Sequence, residues 1–312
     1  MMDRLVVMFG GSGFLGRYIA QELLGSGARV RFAERDPRRA WYLKPLGNLG
    51  QTQFVAADVT HKDSVARAVQ GADAVINLVG ILSGKFDKVH VEGARNVAEA
   101  AAAAGVATFV HMSAIGASAQ AESAYGRTKG LGEEAVRKAF PAATILRPSI
   151  VFGREDNFIN RFAGLIRALP VLPVIRSQAK FQPVYAGDIA RAAAKALLED
   201  GHAGKAYELG GPHVLTMGEL NAWIAKETGR HPLVADVPDA LAGAMARFAG
   251  WLPGAPITWD QWLMLQKDNV AADTAEGLGA FGITPTPLAA VAPGWLVQYR
   301  RHGRFAGVKG AA

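Results

Sequence analysis

The stretch VVMFGGSGFLGRYIAQELL, residues 6–24, decides how the chain is read. A short apolar run stops at glycines and gives way to a pattern with Leu15, Ile19 and Leu23 on one helical face. Gly10, Gly13 and Gly16 stand between the two at G-x-x-G-x-x-G spacing. The spacing predicts a strand, a tight turn and a helix. Gly10 serves the turn, Gly13 lets backbone amides approach a diphosphate, and Gly16 lets the helix pack close to the sheet. The start of such a helix offers unpaired N–H groups and the positive end of its dipole to an anion. Ser12, Phe14, Leu15 and Arg17 complete this candidate dinucleotide cradle.

Beyond it, strand-length apolar runs alternate with helical patterns: ARVRFAE, TQFVAADV, ADAVINLVG, ATFVHMSA and ATILRPSIVFG, separated by stretches such as DSVARAVQ and VHVEGARNVAEAAAAAG. This rhythm predicts an α/β protein, a Rossmann-like doubly wound parallel sheet covered on both faces. From about residue 150 the pattern changes to helices separated by short strands, as in NFINRFAGLIRAL and MGELNAWIAKETG. The expected organisation is a dinucleotide-binding domain over 1–150 and a smaller, mostly helical lobe over 151–312, interleaved with the first.

The 312-residue chain holds no cysteine, which excludes disulfides, thiolate metal sites and cysteine nucleophiles. Its seven histidines show no paired spacing, so no metal site is expected. A net charge of +7 suits an acidic ligand, but the basic residues are scattered and no nucleic-acid motif occurs, so nucleic acid is not an expected partner. The opening MMDRLVVMFGG lacks signal-peptide form, and no apolar run reaches the ~20 residues of a membrane span. A cytoplasmic protein is expected.

The end of the second strand selects the dinucleotide. An acidic residue there accepts from a ribose 2′-hydroxyl, whereas arginine neutralises a 2′-phosphate. In ARVRFAERDPRR, Glu34 is followed by Arg35 and then Arg38, which favours NADP(H) and leaves NAD(H) as the alternative. Asp58 and Val59 after the third strand, and Leu78, Val79 and Gly80 after the fourth, are placed to bracket adenine and ribose.

A second constellation follows. Tyr125 and Lys129, four residues apart in YGRTK, share a helix face, and Ser113 ends the preceding strand. An ammonium beside the phenol would lower its pKa and yield a proton donor and acceptor near neutral pH, with Ser113 orienting a carbonyl or hydroxyl. The rival reading has Tyr125 and Lys129 only clamping the nicotinamide ribose.

GGSGFLG, INLVG, the strand ending in serine, Y-x-x-x-K and LRPSIVFG, in this order, resemble the extended or atypical short-chain dehydrogenase/reductase superfamily. That resemblance implies that the backbone around Pro148 and Ile150 passes beside a nicotinamide. FGREDNFINRFAGLI, FQPVYAGDIA and ITWDQWLMLQKDNV extend it to the family of the accessory nucleotide-binding subunit of respiratory complex I and its bacterial homologues. The narrower resemblance implies firmly bound NADPH in a structural role at the junction with the membrane arm. Without a presequence before Met1, a bacterial relative on the cytoplasmic face of the inner membrane is expected. The aromatic segment 240–266 is its candidate for peripheral membrane or subunit contact. The alternative is an active oxidoreductase or epimerase on a quinone-like, sterol-like or nucleotide-sugar substrate, using Ser113, Tyr125 and Lys129.

Overall fold

The computed structural model describes residues 4–252, 255, 257–301 and 303. Six strands, β1 (Leu5–Phe9), β2 (Arg29–Glu34), β3 (Thr52–Ala56), β4 (Ala74–Asn77), β5 (Thr108–Met112) and β6 (Thr144–Pro148), join a seventh, Ala206–Leu209. They form one parallel sheet in the order 206–209, β6, β5, β4, β1, β2, β3. Helices α1 (Phe14–Gly25), α2 (Lys62–Val69), α3 (Ala94–Ala103) and α4 (Ala124–Ala139) cover it together with Ala186–Leu198. The sequence rhythm therefore reports the fold correctly. Val6, Val7, Met8 and Phe9 of β1 are completely buried, as a strand in the middle of a doubly covered sheet must be. The order in which strands are added reverses between β1 and β4, and in open sheets of this kind such a switch point leaves a crevice at the carboxyl ends. Register places Phe9 beside Asn77, so the glycine turn after β1 and the loop after β4 flank that crevice.

The buried face of α1 differs slightly from expectation. Gly16, Ile19, Ala20, Leu23 and Leu24 are buried, while Leu15 is half-buried. At 3.6 residues per turn the stripe drifts to Gly16 and Ala20, where small residues let the helix sit low on the sheet. A Cβ on residue 16 would run into the backbone of Gly11.

The chain divides into two compact units: residues 1–148, 186–209 and 272–284 build the first, and 149–185, 210–271 and 285–312 the second. The second has its own core, including Phe152, Ile159, Leu172, Phe181, Leu220 and Ile224. Its family-like motifs serve internal structure. Asp156 of FGREDNFIN caps the helix Ile159–Ala168, its Oδ1 accepting from the N–H groups of Phe158 (2.8 Å) and Ile159 (2.6 Å). Asn269 of QKDNV accepts from Ser149 Oγ (2.7 Å) and the Ile150 N–H (3.0 Å) through its Oδ1. Gln182 of FQPVY donates to the Gly211 carbonyl (2.8 Å) and accepts from the Ala271 N–H (3.0 Å).

Within segment 240–266, the helix Asp239–Ala249 buries only Ala242 and Ala246, leaving Leu241, Phe248 and the following Trp251 exposed. Trp259 and Trp262 stack at 4.9 Å, with Arg247 over the Trp259 ring. Positions 253, 254 and 256 lie outside the described residues. No helix among the described residues is long and apolar enough to cross a membrane.

Glycine has opposite value at two helical positions. A Cβ on Gly132 of α4 would strike the His90 carbonyl oxygen, whereas one on Gly164 meets nothing within 4 Å. Gly132→Ala is expected to lower the unfolding free energy by about 2 kcal/mol, because the clash outweighs the better helix propensity. Gly164→Ala is expected to raise it by about 1 kcal/mol. Urea denaturation of both variants provides the measurement, and equal signs would contradict this account.

Candidate functional site

The glycine turn has the form the spacing predicts. Gly10 adopts φ +80°, which a side chain rarely tolerates, and the Gly13 N–H returns to its carbonyl at 3.1 Å. A Cβ on Gly10 would press on the Leu78 carbonyl carbon and the Val79 nitrogen at 3.3–3.4 Å, so the turn lies directly against the loop after β4. Gly13 is the N-cap of α1, is exposed and supplies no side-chain cap, and only the Gly10 oxygen approaches the position of its missing Cβ. An exposed helix start without a capping side chain is able to receive a diphosphate.

Around the turn, Glu34 Oε1 accepts from the Ser12 N–H at 2.6 Å. The Tyr42 hydroxyl donates to the Ser12 carbonyl at 3.2 Å, and Arg17 stacks over the Tyr42 ring at 4.7 Å. Phe14 meets Tyr18 edge-on. Arg38 forms a two-bond pair with Asp36, at 2.9 and 3.2 Å, while Arg35 stays exposed. Asp58 Oδ1 accepts from both the N–H and hydroxyl of Thr60. Burial would raise the Asp58 carboxyl, but these bonds and the charges of His61 and Arg35 outweigh it and hold the group below its ordinary value. Val59 is fixed by its carbonyl, which accepts from Asn96 Nδ2 at 2.8 Å.

The second constellation is assembled at the head of α4. Ser123 caps that helix by accepting from the Gly126 N–H. Lower down, Arg147 of β6 grips Glu133 with two bonds of 2.6 and 3.0 Å, which fixes the helix to the sheet. Lys129 is buried and donates to the Met112 carbonyl at 2.6 Å, one residue before Ser113. Burial pulls its ammonium down to about 8, against a smaller opposing effect of Glu133. The Tyr125 phenol, expected to be lowered by Lys129, is instead pushed up to about 12 by burial. This corrects the sequence expectation: desolvation of the charged form dominates, while the Lys129 ammonium is committed to a backbone carbonyl. Ser113 Oγ is buried without a hydrogen-bond partner among the described residues. Pro148 accepts from the Ile115 N–H at 3.0 Å and ends the first unit; Ile150 belongs to the second, where Asn269 holds it.

Several participants were missed in the sequence. His90 lies in a π-helical turn, Asp87–Gly93, directly before α3. Its Nε2 accepts from the Ile81 N–H and its Nδ1 faces Thr128 Oγ1, both at 3.0 Å. Asn77 Oδ1 accepts from the Val79 N–H at 3.1 Å, and its amide lies 3.4 Å from His111 Nδ1. Polar residues in the apolar runs VINLVG and FVHMSA were the available signal for Asn77 and His111. Nothing local marks His90 or Tyr42, whose hydrogen-bond partners are 9 to 38 residues away.

A dinucleotide crevice bordered by a glycine turn, beside a helix carrying Y-x-x-x-K, defines an NAD(P)-binding Rossmann protein. Residues 6–210 match the NAD dependent epimerase/dehydratase family, and the chain belongs to it. It is 35% identical over 292 residues to the mitochondrial NADH dehydrogenase [ubiquinone] 1 alpha subcomplex subunit 9 of Rattus norvegicus, covering 91% of this chain and 77% of that protein. It is also 32% identical over 191 residues to a ceramide reductase of Caulobacter vibrioides, covering 60% of this chain and 58% of that protein. Among solved structures, the NADPH-dependent quinone oxidoreductase QOR2 of Escherichia coli, complexed with NADPH, shares the fold. It has a TM-score of 0.76 at 23% identity and covers 93% of this chain and 99% of that one.

Two buried imidazoles make stability depend on pH. Burial, helped by the Lys129 charge, lowers His90 from 6.5 to about 4, and burial lowers His111 in the same direction. The unfolded chain takes up a proton near pH 6.5 that the folded His90 refuses until about pH 4, so stability is full above that window and falls across it. His90 alone is expected to contribute about 3 kcal/mol to this loss. Urea unfolding between pH 7 and 4 is expected to show a shallower pH slope in His90→Gln than in the unmodified chain.

Proposed function

We propose that this chain is an accessory or assembly subunit of respiratory complex I that holds a nicotinamide dinucleotide as part of its architecture. The observation that carries the structural role is the state of the tyrosine–lysine pair. A phenol pushed up to about 12 keeps its proton near neutral pH, and the Lys129 ammonium donates a hydrogen bond to the Met112 carbonyl. The placement in complex I is supported by similarity to the rat subunit along most of both chains.

The pyrophosphate is assigned to the start of α1, over Gly10, Ser12, Gly13 and Gly16, with Phe14 and Leu15 supplying the first helical amides. Adenine and its ribose are assigned to Arg35, Asp58, Val59 and the Leu78–Gly80 loop, with Glu34 bracing the turn through Ser12; the nicotinamide end is assigned to Tyr125, Lys129 and Pro148. When bound, the nicotinamide supplies a hydride donor or acceptor. NADP(H) is the preferred form because Glu34 is engaged with the Ser12 N–H and Arg38 with Asp36, while Arg35 remains exposed at the end of β2. A guanidinium there suits a 2′-phosphate, and Arg17 adds charge nearby. The exposed Leu241, Phe248 and Trp251 are assigned to contact with neighbouring subunits or with the cytoplasmic face of a bacterial inner membrane.

One observation favours a second reading. The buried Ser113 Oγ, without a hydrogen-bond partner among the described residues, suits a substrate carbonyl, as in an oxidoreductase or epimerase acting on a quinone-like, sterol-like or nucleotide-sugar compound. Similarity to a ceramide reductase adds weight to a reductase.

Purified protein is expected to keep a nicotinamide nucleotide through gel filtration, with mass spectrometry identifying NADP(H), and to be recovered with complex I from gentle detergent extract. Arg35→Ala is expected to weaken NADPH about tenfold and leave NADH nearly unchanged. Tyr125→Phe is expected to retain the nucleotide fully. Turnover of a carbonyl or quinone substrate that Tyr125→Phe abolishes would replace the structural role with the catalytic one.

A further inference from the structure

The loop Leu78–Ile81 borders the crevice and touches the glycine turn through Gly10. Two side chains hold its backbone. Asn77 reaches forward from the end of β4 to the Val79 N–H, a bond that stays within one strand end. His90, nine residues beyond Ile81, takes the Ile81 N–H. These two attachments differ in what they join: the first is local, whereas the second links the loop to α4.

The link follows from the hydrogen-bond directions. Thr128 Oγ1 donates to the Ala124 carbonyl at 2.7 Å, so toward His90 it presents a lone pair, and the imidazole proton sits on Nδ1. Nε2 is thereby an acceptor, which the Ile81 N–H requires. A neutral ring with both nitrogens used in one sense is a directional bridge, Ile81 to His90 to Thr128, and Thr128 directly precedes Lys129. The ring is otherwise clasped by aromatic neighbours, Phe86 at 5.4 Å and Tyr125 at 5.5 Å between centroids. The wide π-helical turn carries the His90 carbonyl to α4, where only glycine at 132 leaves room for it.

We propose that His90 is a positioning residue of the dinucleotide crevice, which sets the Leu78–Ile81 loop against the helix bearing Tyr125 and Lys129 so that both edges of the crevice are held at the spacing the nucleotide needs. The proposal rests on the reading that this crevice holds NADP(H). A histidine that only filled the core would affect the whole fold and leave nucleotide affinity untouched once folded. A positioning histidine changes affinity through one loop.

The test uses the full chain with NADPH as the probe, in His90→Phe, Thr128→Val and Thr128→Ser. His90→Phe keeps an aromatic ring but removes both hydrogen bonds; Thr128→Val removes only the far anchor, and Thr128→Ser restores it. Expected results are an NADPH dissociation constant raised about tenfold in His90→Phe, a smaller rise in Thr128→Val and near-normal affinity in Thr128→Ser. Hydrogen exchange is expected to quicken at residues 78–81 in the first two variants, with exchange in α1 unchanged. If His90→Phe does not fold, the Thr128 pair carries the test alone. Faster exchange at 78–81 with normal affinity overturns the proposal, as does normal affinity in both His90→Phe and Thr128→Val. An unmodified chain that binds neither NADPH nor NADH overturns the dinucleotide reading and this proposal with it, and is distinguishable because it appears before any substitution is made.

Discussion

The close seating of α4 on its neighbours is the constraint on which the candidate site depends. Glycines at 130 and 132 let the helix approach the backbone of Ser118 and the His90 carbonyl, distances that a single methyl group would forbid. Once the helix is that low, Lys129 reaches the Met112 carbonyl, Glu133 meets Arg147, and Thr128 meets His90. The partly buried Glu133–Arg147 pair contributes orientation more than net stability, since withdrawing charge from water offsets much of their attraction. Its value lies in fixing one helical rotation, and that rotation brings Lys129 to the carboxyl end of β5.

Such tight packing also sets the protonation states. A titratable group sealed beneath a helix resists charge, so the imidazoles of His90 and His111 stay neutral and the Tyr125 phenol stays protonated. The same burial that orders the site draws the Lys129 ammonium down to about 8, so tyrosine and lysine are shifted in opposite directions by one cause.

Much of this was legible in the sequence, for identifiable reasons. The strands of the sheet and the glycine turn are local patterns: a run of apolar residues buried on both faces, then glycines at positions where backbone must approach backbone. Y-x-x-x-K spacing likewise reports a shared helix face. What it cannot report is the dielectric around that face, which is why the Tyr125 shift came out with the opposite sign. Leu15 was misplaced by one step of helical drift. Tyr42 and His90 were missed because their partners are distant in sequence and their immediate neighbours carry no signal. The motifs around Gln182 and Asn269 were visible as resemblance, but their role as an internal clasp depends on bonds spanning up to 120 residues.

The discontinuous make-up of the first unit bears on how the chain comes into being. Its sheet lacks the strand 206–209, and α1 lacks the helix Ala186–Leu198 packed on it, until those residues have been synthesised. During translation, β6 therefore waits as an unpaired edge, and the part of the sheet that Ala186–Leu198 covers, over β4–β6, stays wet while the second unit's first segment emerges. An unpaired parallel edge and an uncovered apolar face are the features that recruit chaperones and invite aggregation. For this protein, biogenesis is the stage at which the topology is most exposed to failure.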